Sequence, residues 1–360
     1  MAYDIHRIRN EFPSLAVTDN GKRRVYFDNP GGTQVAKRVM DRMQDYFIHM
    51  NTNGGGAFIT SQQSDALMDE GHAALADLVG SSDPGEIIFG QNMTTLTLHL
   101  SRSIGRTLSA GDEIVVTRMD HDANVSPWLL MAEDHGLKVR WMDFNPETFR
   151  YDQDALDRVL TPKTKLVAVN YASNATGTVN DIRSISRKAH EVGALVFVDA
   201  VQFTPHFVTD VKAIECDFLA CSAYKFYGPH QGLIWGKRDL LEAYTPYKVR
   251  PATNSLPGAY ETGTQSHEGM AGTLGAVEHF EWVGSEMGAG GSSRRERIIS
   301  GFNVIAEYER ELGRRLIRGL KHIPGVTIYG LTEDVDLVDR VPTVAITKEG
   351  VHPRHMAESL

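Results

Sequence analysis

Cysteine is nearly missing from this chain: Cys216 and Cys221 are the only two in 360 residues. A disulfide framework is therefore excluded. A bridge between the two is disfavoured as well, because a separation of five puts them on opposite faces of a shared strand. No apolar stretch reaches the length of a membrane span. The opening residues, Met-Ala-Tyr-Asp-Ile-His-Arg-Ile-Arg, lack the apolar core of a secretory signal, so a cytoplasmic protein is expected. Lysine and arginine form no run, and a net charge of -9 makes the chain a poor match for nucleic acid. Neither G-x-G-x-x-G nor a Walker-type loop occurs, which removes support for a dinucleotide or a nucleoside triphosphate. His352 and His355 have no Cys or carboxylate arranged around them, and no metal site is expected.

What is present is a chain that is 41% hydrophobic and long enough for one large domain and a smaller one. Short β-rich runs at 86–89, 113–116, 138–141, 166–169, 195–198, 218–221 and 232–235 alternate with helical patterns at 61–79, 126–135 and 182–192. This alternation predicts a mostly parallel seven-stranded sheet covered by helices. Residues 285–293 read as a flexible glycine- and serine-rich passage closed by a capping box, Ser293 with Glu296. A long amphipathic helix over 294–321 and strands at 326–329 and 343–347 should follow, an α+β pattern. Arg294, Arg295 and Arg297 read as a solvated face of that helix. The expected organisation is an N-terminal segment 1–24, a large domain 25–285 and a small C-terminal domain 286–360. The last of these looks incomplete, because 352–360 reads as a helix just begun.

The chemistry concentrates at Ser222-Ala223-Tyr224-Lys225-Phe226-Tyr227-Gly228-Pro229, where a lysine stands directly past an apolar strand. Open α/β sheets bind ligands beyond the carboxyl ends of their strands, so Lys225 points at the expected crevice. Asp199 ends the preceding apolar run twenty-six residues earlier, room enough for a crossover and one further strand. A lysine that can form a Schiff base, with a carboxylate that keeps a pyridine nitrogen protonated, is the pairing that pyridoxal 5'-phosphate (PLP) requires. A phosphate site is available at Gly90-Gln91-Asn92-Met93-Thr94-Thr95, a turn between a strand and a helix whose N-terminus favours an anion.

The ordered motifs Tyr26-Phe27-Asp28-Asn29, Met93-Thr94-Thr95, His121-Asp122-Ala123-Asn124, Ser173-Asn174-Ala175-Thr176-Gly177-Thr178, Asp199-Ala200-Val201-Gln202, Ser222-Ala223-Tyr224-Lys225 and Glu261-Thr262-Gly263-Thr264 make the chain resemble class V aminotransferases. The resemblance runs from about residue 26 to the end and is strongest to the cysteine desulfurase-like branch. It implies the PLP-dependent transferase fold, aspartate aminotransferase-like and fold type I. By the same resemblance Lys225, Asp199 and His121 are catalytic, with His121 stacked on the cofactor ring. Asn174 lies close to the ring and substrate, Gln202 bonds the ring oxygen, and Thr95, Ser222 and the backbone of Met93 and Thr94 hold the phosphate. Thr264 matches a threonine that reaches the phosphate of a neighbouring subunit, which implies a homodimer with shared active sites and an amino-acid substrate.

The resemblance also breaks. Neither cysteine matches the desulfurase nucleophile, and both read as packing residues. Tyr224 stands where the desulfurases usually have histidine, and Asn53-Gly54-Gly55-Gly56-Ala57 replaces their His-Arg-Gly-x-His segment. The glycines could form either a flexible loop or one shaped for close approach. The expected activity is desulfurase-like C-S cleavage on an α-amino acid. Transamination or epimerisation is the alternative within the family, and a PLP-binding protein without catalysis is the alternative of another class.

Overall fold

A computed structural model describes residues 3–359, apart from the side chain of Gln153. The seven strands are β1 (Ile87–Gly90), β2 (Glu113–Thr117), β3 (Lys138–Met142), β4 (Thr164–Asn170), β5 (Leu195–Asp199), β6 (Phe218–Ser222) and β7 (Gly232–Gly236). They form one sheet in the order β1-β7-β6-β5-β4-β2-β3, in which only β7 runs against its neighbours. β2, β6 and β7 are buried along their whole length, as expected for strands covered on both faces. β3, at one edge, keeps Lys138 and Arg140 in solvent.

The period-two alternation of side chains divides the core. Val115, Val167, Val196 and Leu219 face one layer, and Ile114, Leu166, Phe197 and Phe218 face the other. The helices that matter are α1 (Lys37–Asp45), α2 (Ile59–Val79), α3 (Met93–Gly105), α4 (Ser126–His135), α5 (Ile182–Glu191), α6 (His267–Met287) and α7 (Arg294–Lys321). α2, α5 and α6 add to the first core through Leu75, Ile185 and Met270, whereas α3 and α4 add to the second through Leu100 and Trp128.

α6 has no counterpart in the sequence reading. It is buried nearly all round, so its apolar residues show no single stripe, and four glycines weaken its helical signal. Those glycines are contact points. A Cβ on Gly275 would lie 2.7 Å from the Arg38 carbonyl oxygen of α1, and one on Gly284 would overlap the Arg297 carbonyl of α7. The passage expected to be flexible from residue 285 is helical to Met287 and turns only afterwards.

α7 begins at the expected capping box, with the Ser293 hydroxyl accepting from the Glu296 N-H and the Glu296 carboxylate accepting from the Ser293 N-H. Its arginines correct the expectation of a solvated face. Arg294 meets Glu70, Asp77 and Glu281, and Arg297 pairs with Glu281. Arg295 donates to the carbonyls of Asp77, Leu78 and Thr209. The first turn of α7 lies against α2 and α6, so these cations cap helix ends and join helices instead of facing water. Beyond α7, β8 (Val326–Tyr329) and β9 (Ala345–Lys348) pair antiparallel. Residues 339–341 then run along the 177–179 turn, with Thr178 bridged to Arg340 and the Val341 N-H donating to Gly177.

Candidate active site

The carboxyl ends of β2, β4, β5 and β6 and the N-terminus of α3 surround a cavity of ≈ 360 Å³. Lys225 follows β6 in a single 3-10 turn, Ala223–Lys225, fixed because the Phe226 and Gly228 N-H groups both donate to the Ala223 carbonyl. Its amine donates to the Pro30 carbonyl and lies 4.6 Å from the Tyr224 ring centroid. No carboxylate pairs with it among the described residues, although the residue is only 8% exposed. Asp199 ends β5, 5% exposed, and its carboxylate accepts from the Val201 N-H at 2.9 Å. Burial pushes this carboxyl up to about 6, against the opposing pull of the Val201 N-H, His121 and Lys225.

α3 supplies the end suited to an anion. Asn92 caps it by accepting from the Thr95 N-H at 2.9 Å, and nothing among the described residues takes the N-H groups of Met93 and Thr94. β7 can approach this turn only because residue 232 is glycine: a Cβ there would lie 2.6 Å from the Met93 nitrogen.

The cavity brings together Lys225, Asp199, His121, Gln202, Asn174, Met93, Thr94 and Ser222. His121 is exposed at the mouth, where its Nδ1 accepts from the Ala123 N-H at 3.1 Å. That bond leaves Nε2 to carry the hydrogen of the neutral ring. Gln202 is anchored by its amide to the Pro30 carbonyl at 2.9 Å. Thr95 and Thr264 lie elsewhere, lining a second concavity of ≈ 570 Å³ with His99, His230 and Gln231. The Thr95 hydroxyl donates to the Asn92 carbonyl at 3.0 Å, so it serves the cap.

Tyr224 stacks on His230 at 5.2 Å between ring centroids, and the two rings stand between the cavities that each of them lines. The Asn53–Ala57 segment lines neither cavity. Asp65 accepts from the Gly55 N-H, Ser61 accepts from the Gly56 N-H, and the Ser61 hydroxyl donates to the Asn53 carbonyl. The loop is thus braced on α2, and Gly55 at φ +81° needs its freedom from a Cβ.

Sequence reasoning missed Pro30, whose carbonyl receives both Lys225 and Gln202, and Asn170, at the end of β4. The turn signal Asn29-Pro30-Gly31-Gly32 was visible, but nothing local says that its carbonyl reaches residues 172 and 195 positions away. Both cysteines are free and fully buried, and burial raises both thiols well above their ordinary range.

An open α/β sheet with an unpaired lysine, a buried carboxylate and an open helix N-terminus around one cavity defines a cofactor-dependent enzyme site. The chain belongs to the aminotransferase class-V family, a family of PLP-dependent enzymes, whose model matches residues 25–360. It is 33% identical over all of its length to the aminotransferase-like protein FGM3 of Gibberella zeae, covering 85% of that protein. It is 30% identical to a cysteine desulfurase of Pectobacterium atrosepticum, over 92% of this chain and 81% of that one. Among solved structures, the apo cysteine desulfurase of Thermococcus onnurineus superimposes with a TM-score of 0.86 at 24% identity, over 99% of this chain and 86% of that one. The cysteine desulfurase CsdA of Escherichia coli, in its S-sulfonic acid form, gives a TM-score of 0.81 at 26% identity, over 98% and 84%.

Proposed function

We propose that the chain binds PLP in the ≈ 360 Å³ cavity and acts on the α-carbon of an amino acid. The observation that carries this reading is the placement of Lys225 and Asp199 around one cavity, neither with an ionic partner among the described residues. Leaving such buried groups without partners costs stability. A ligand with an aldehyde, a cationic ring nitrogen and a phosphate satisfies all three features of the cavity. When bound, PLP supplies an electron sink for the pair left when a bond to the substrate α-carbon breaks.

The protein's own part follows from the geometry. Lys225 anchors the cofactor covalently and is placed to move a proton at the substrate α-carbon. Asp199, as a carboxylate, holds the ring nitrogen in its cationic form. The N-H groups of Met93 and Thr94, with Ser222, receive the phosphate, while Gln202 faces the ring oxygen and Asn174 lies by the ring and the substrate. His121 covers the mouth and presents Nε2. Thr95, at the same helix start, holds the cap behind the phosphate, and Thr264 completes the site only if a second copy docks, so a homodimer is part of this reading.

C-S cleavage resembling that of the desulfurases is the first assignment. The burial of Cys216 and Cys221 favours a second: among the described residues no thiol can receive sulfur, which suits transamination or epimerisation. The experiment is a parallel assay over the common amino acids with added PLP, scoring sulfide, keto acid and inverted amino acid. Sulfide from cysteine supports the first assignment, keto acid or inverted amino acid the second. Absence of all three, together with no α-proton exchange, contradicts the proposal.

A further inference from the structure

One carboxyl beside the cavity has no part in the reading above. Asp120 immediately precedes His121 in the turn after β2. The Thr117 hydroxyl donates to it, the Tyr151 hydroxyl donates at 2.9 Å and the Asn124 amide at 2.6 Å. Thr117 and Tyr151 hydroxyls are themselves 2.8 Å apart, and Asn124 accepts the Trp128 indole N-H at 3.0 Å. Thus the end of β2, the His121 turn and Tyr151 all meet at one carboxyl, and α4 is tied to it through Trp128 and Asn124. Among the described residues no cation pairs with it. Asn170, in register with Asp199 on the neighbouring strand, donates its amide to the Met119 carbonyl just ahead of Asp120, which sets the turn beside the end of β5 and within the field of Asp199. His121 and Lys225 bear on Asp199 instead.

We infer that Asp120 is a positioning residue of the cofactor site: it pins the His121 turn to Tyr151, and its proton occupancy is linked to the charge of Asp199. This rests on the reading of the cavity as a cofactor site. The hydroxyl neighbours make the device workable. As a carboxylate Asp120 accepts from all three donors; as a neutral acid it gives its own hydrogen to Thr117 or Tyr151, whose oxygens can accept. The turn therefore holds its shape in both states while the charge changes. Two carboxylates in one another's field resist ionising together. Although part of the residue reaches solvent, protein surrounds the carboxyl, and this desolvation, with the Asp199 charge added, pushes Asp120 up to about 7.

Both acids are raised in the folded state, so the native protein holds protons that the unfolded chain has released. Their contribution to stability is present at low pH and is lost as pH rises from about 4 through about 7.

The test uses the full-length protein without cofactor, melted from pH 4.5 to 8, as wild type, Asp120→Asn, Asp199→Asn and the double variant. Asparagine at 120 keeps a donor toward Thr117 and Tyr151 and an acceptor toward Asn124, and it cannot ionise. Each single variant should lose part of the fall in Tm with rising pH. The loss in the double variant should be smaller than the sum of the singles, because the mutual repulsion is counted twice in that sum. An Asp120→Asn profile parallel to wild type, or strictly additive losses, overturns the linkage.

A second arm titrates PLP into the same proteins and into Asp120→Ala. Asp120→Asn should bind within about threefold of wild type and Asp120→Ala roughly tenfold more weakly; equal affinity in all three overturns the positioning role. If wild type itself binds no PLP, the reading of the cavity fails, and the melting arm still decides the linkage.

Discussion

At the scale of single residues, the account turns on groups left unsatisfied by the protein. Among the described residues, Lys225 reaches only the Pro30 carbonyl and the Tyr224 ring face, and the Asp199 carboxylate takes only the Val201 N-H. Asp199→Ala should keep PLP bound, because the anchor is elsewhere, yet lose most of its α-carbon chemistry. Loss of a buried, charge-assisted contact of this kind costs about 2 to 3 kcal/mol, a fall of roughly 30- to 150-fold in the rate of α-proton exchange. An unchanged exchange rate would remove Asp199 from its assigned role. The cysteines supply the opposite expectation. Each is fully buried with its thiol held protonated, so the double variant Cys216→Ala, Cys221→Ala should retain cofactor binding and turnover at a modest cost in stability. Mass spectrometry after incubation with cysteine gives the contrary result a clear form, a persulfide on either residue joined to loss of turnover in the double variant.

Among the elements, α3 and β7 are bound together by a missing side chain. Gly232→Ala would force a methyl into the backbone of Asn92 and Met93 and displace the N-terminus offered to the phosphate. A loss of about 1 to 3 kcal/mol in stability is expected, with weaker PLP binding measured by titration. Ser293→Ala is the control, since removal of the α7 cap should cost about 1 kcal/mol in denaturant unfolding and leave PLP affinity unchanged. If Gly232→Ala binds PLP as wild type does, the α3 terminus is not the anion site.

These two elements also show what a sequence can disclose. The α7 cap is a local signal, written within four residues, and the strands were visible because six carry an apolar run and β3 alternates as Lys138-Val139-Arg140-Trp141. α6 was hidden because burial on every side erases the amphipathic period and its glycines mark neighbours distant in the chain. The same limit applies to Pro30 and to the brace beneath the Asn53–Ala57 loop, whose partners are chosen by the fold. The arginines of α7 misled because a charged helix start looks alike whether it faces water or another helix.

For the whole molecule, we propose that the cofactor-binding part, 25–285, gives way to a smaller part, 286–360, about the turn that closes α6. No helix among the described residues is long and apolar enough to cross a membrane. The shape of the site ties global stability to the cofactor. PLP bound only by the folded state raises Tm by mass action. A cationic ring nitrogen beside Asp199 removes the penalty for ionising that carboxyl, so the holoprotein should lose less stability than the apoprotein as pH rises through about 6. The gap between their melting temperatures should widen from pH 5 to 7, and a constant gap would contradict the pairing.

The central claim, that Lys225 carries the cofactor, is tested most directly by reducing the PLP-loaded protein with borohydride and mapping its peptides. The account predicts a single pyridoxyl label, on Lys225, absent from Lys225→Ala together with the visible absorption of the loaded protein. A label on any other lysine, or its persistence in Lys225→Ala, would contradict it.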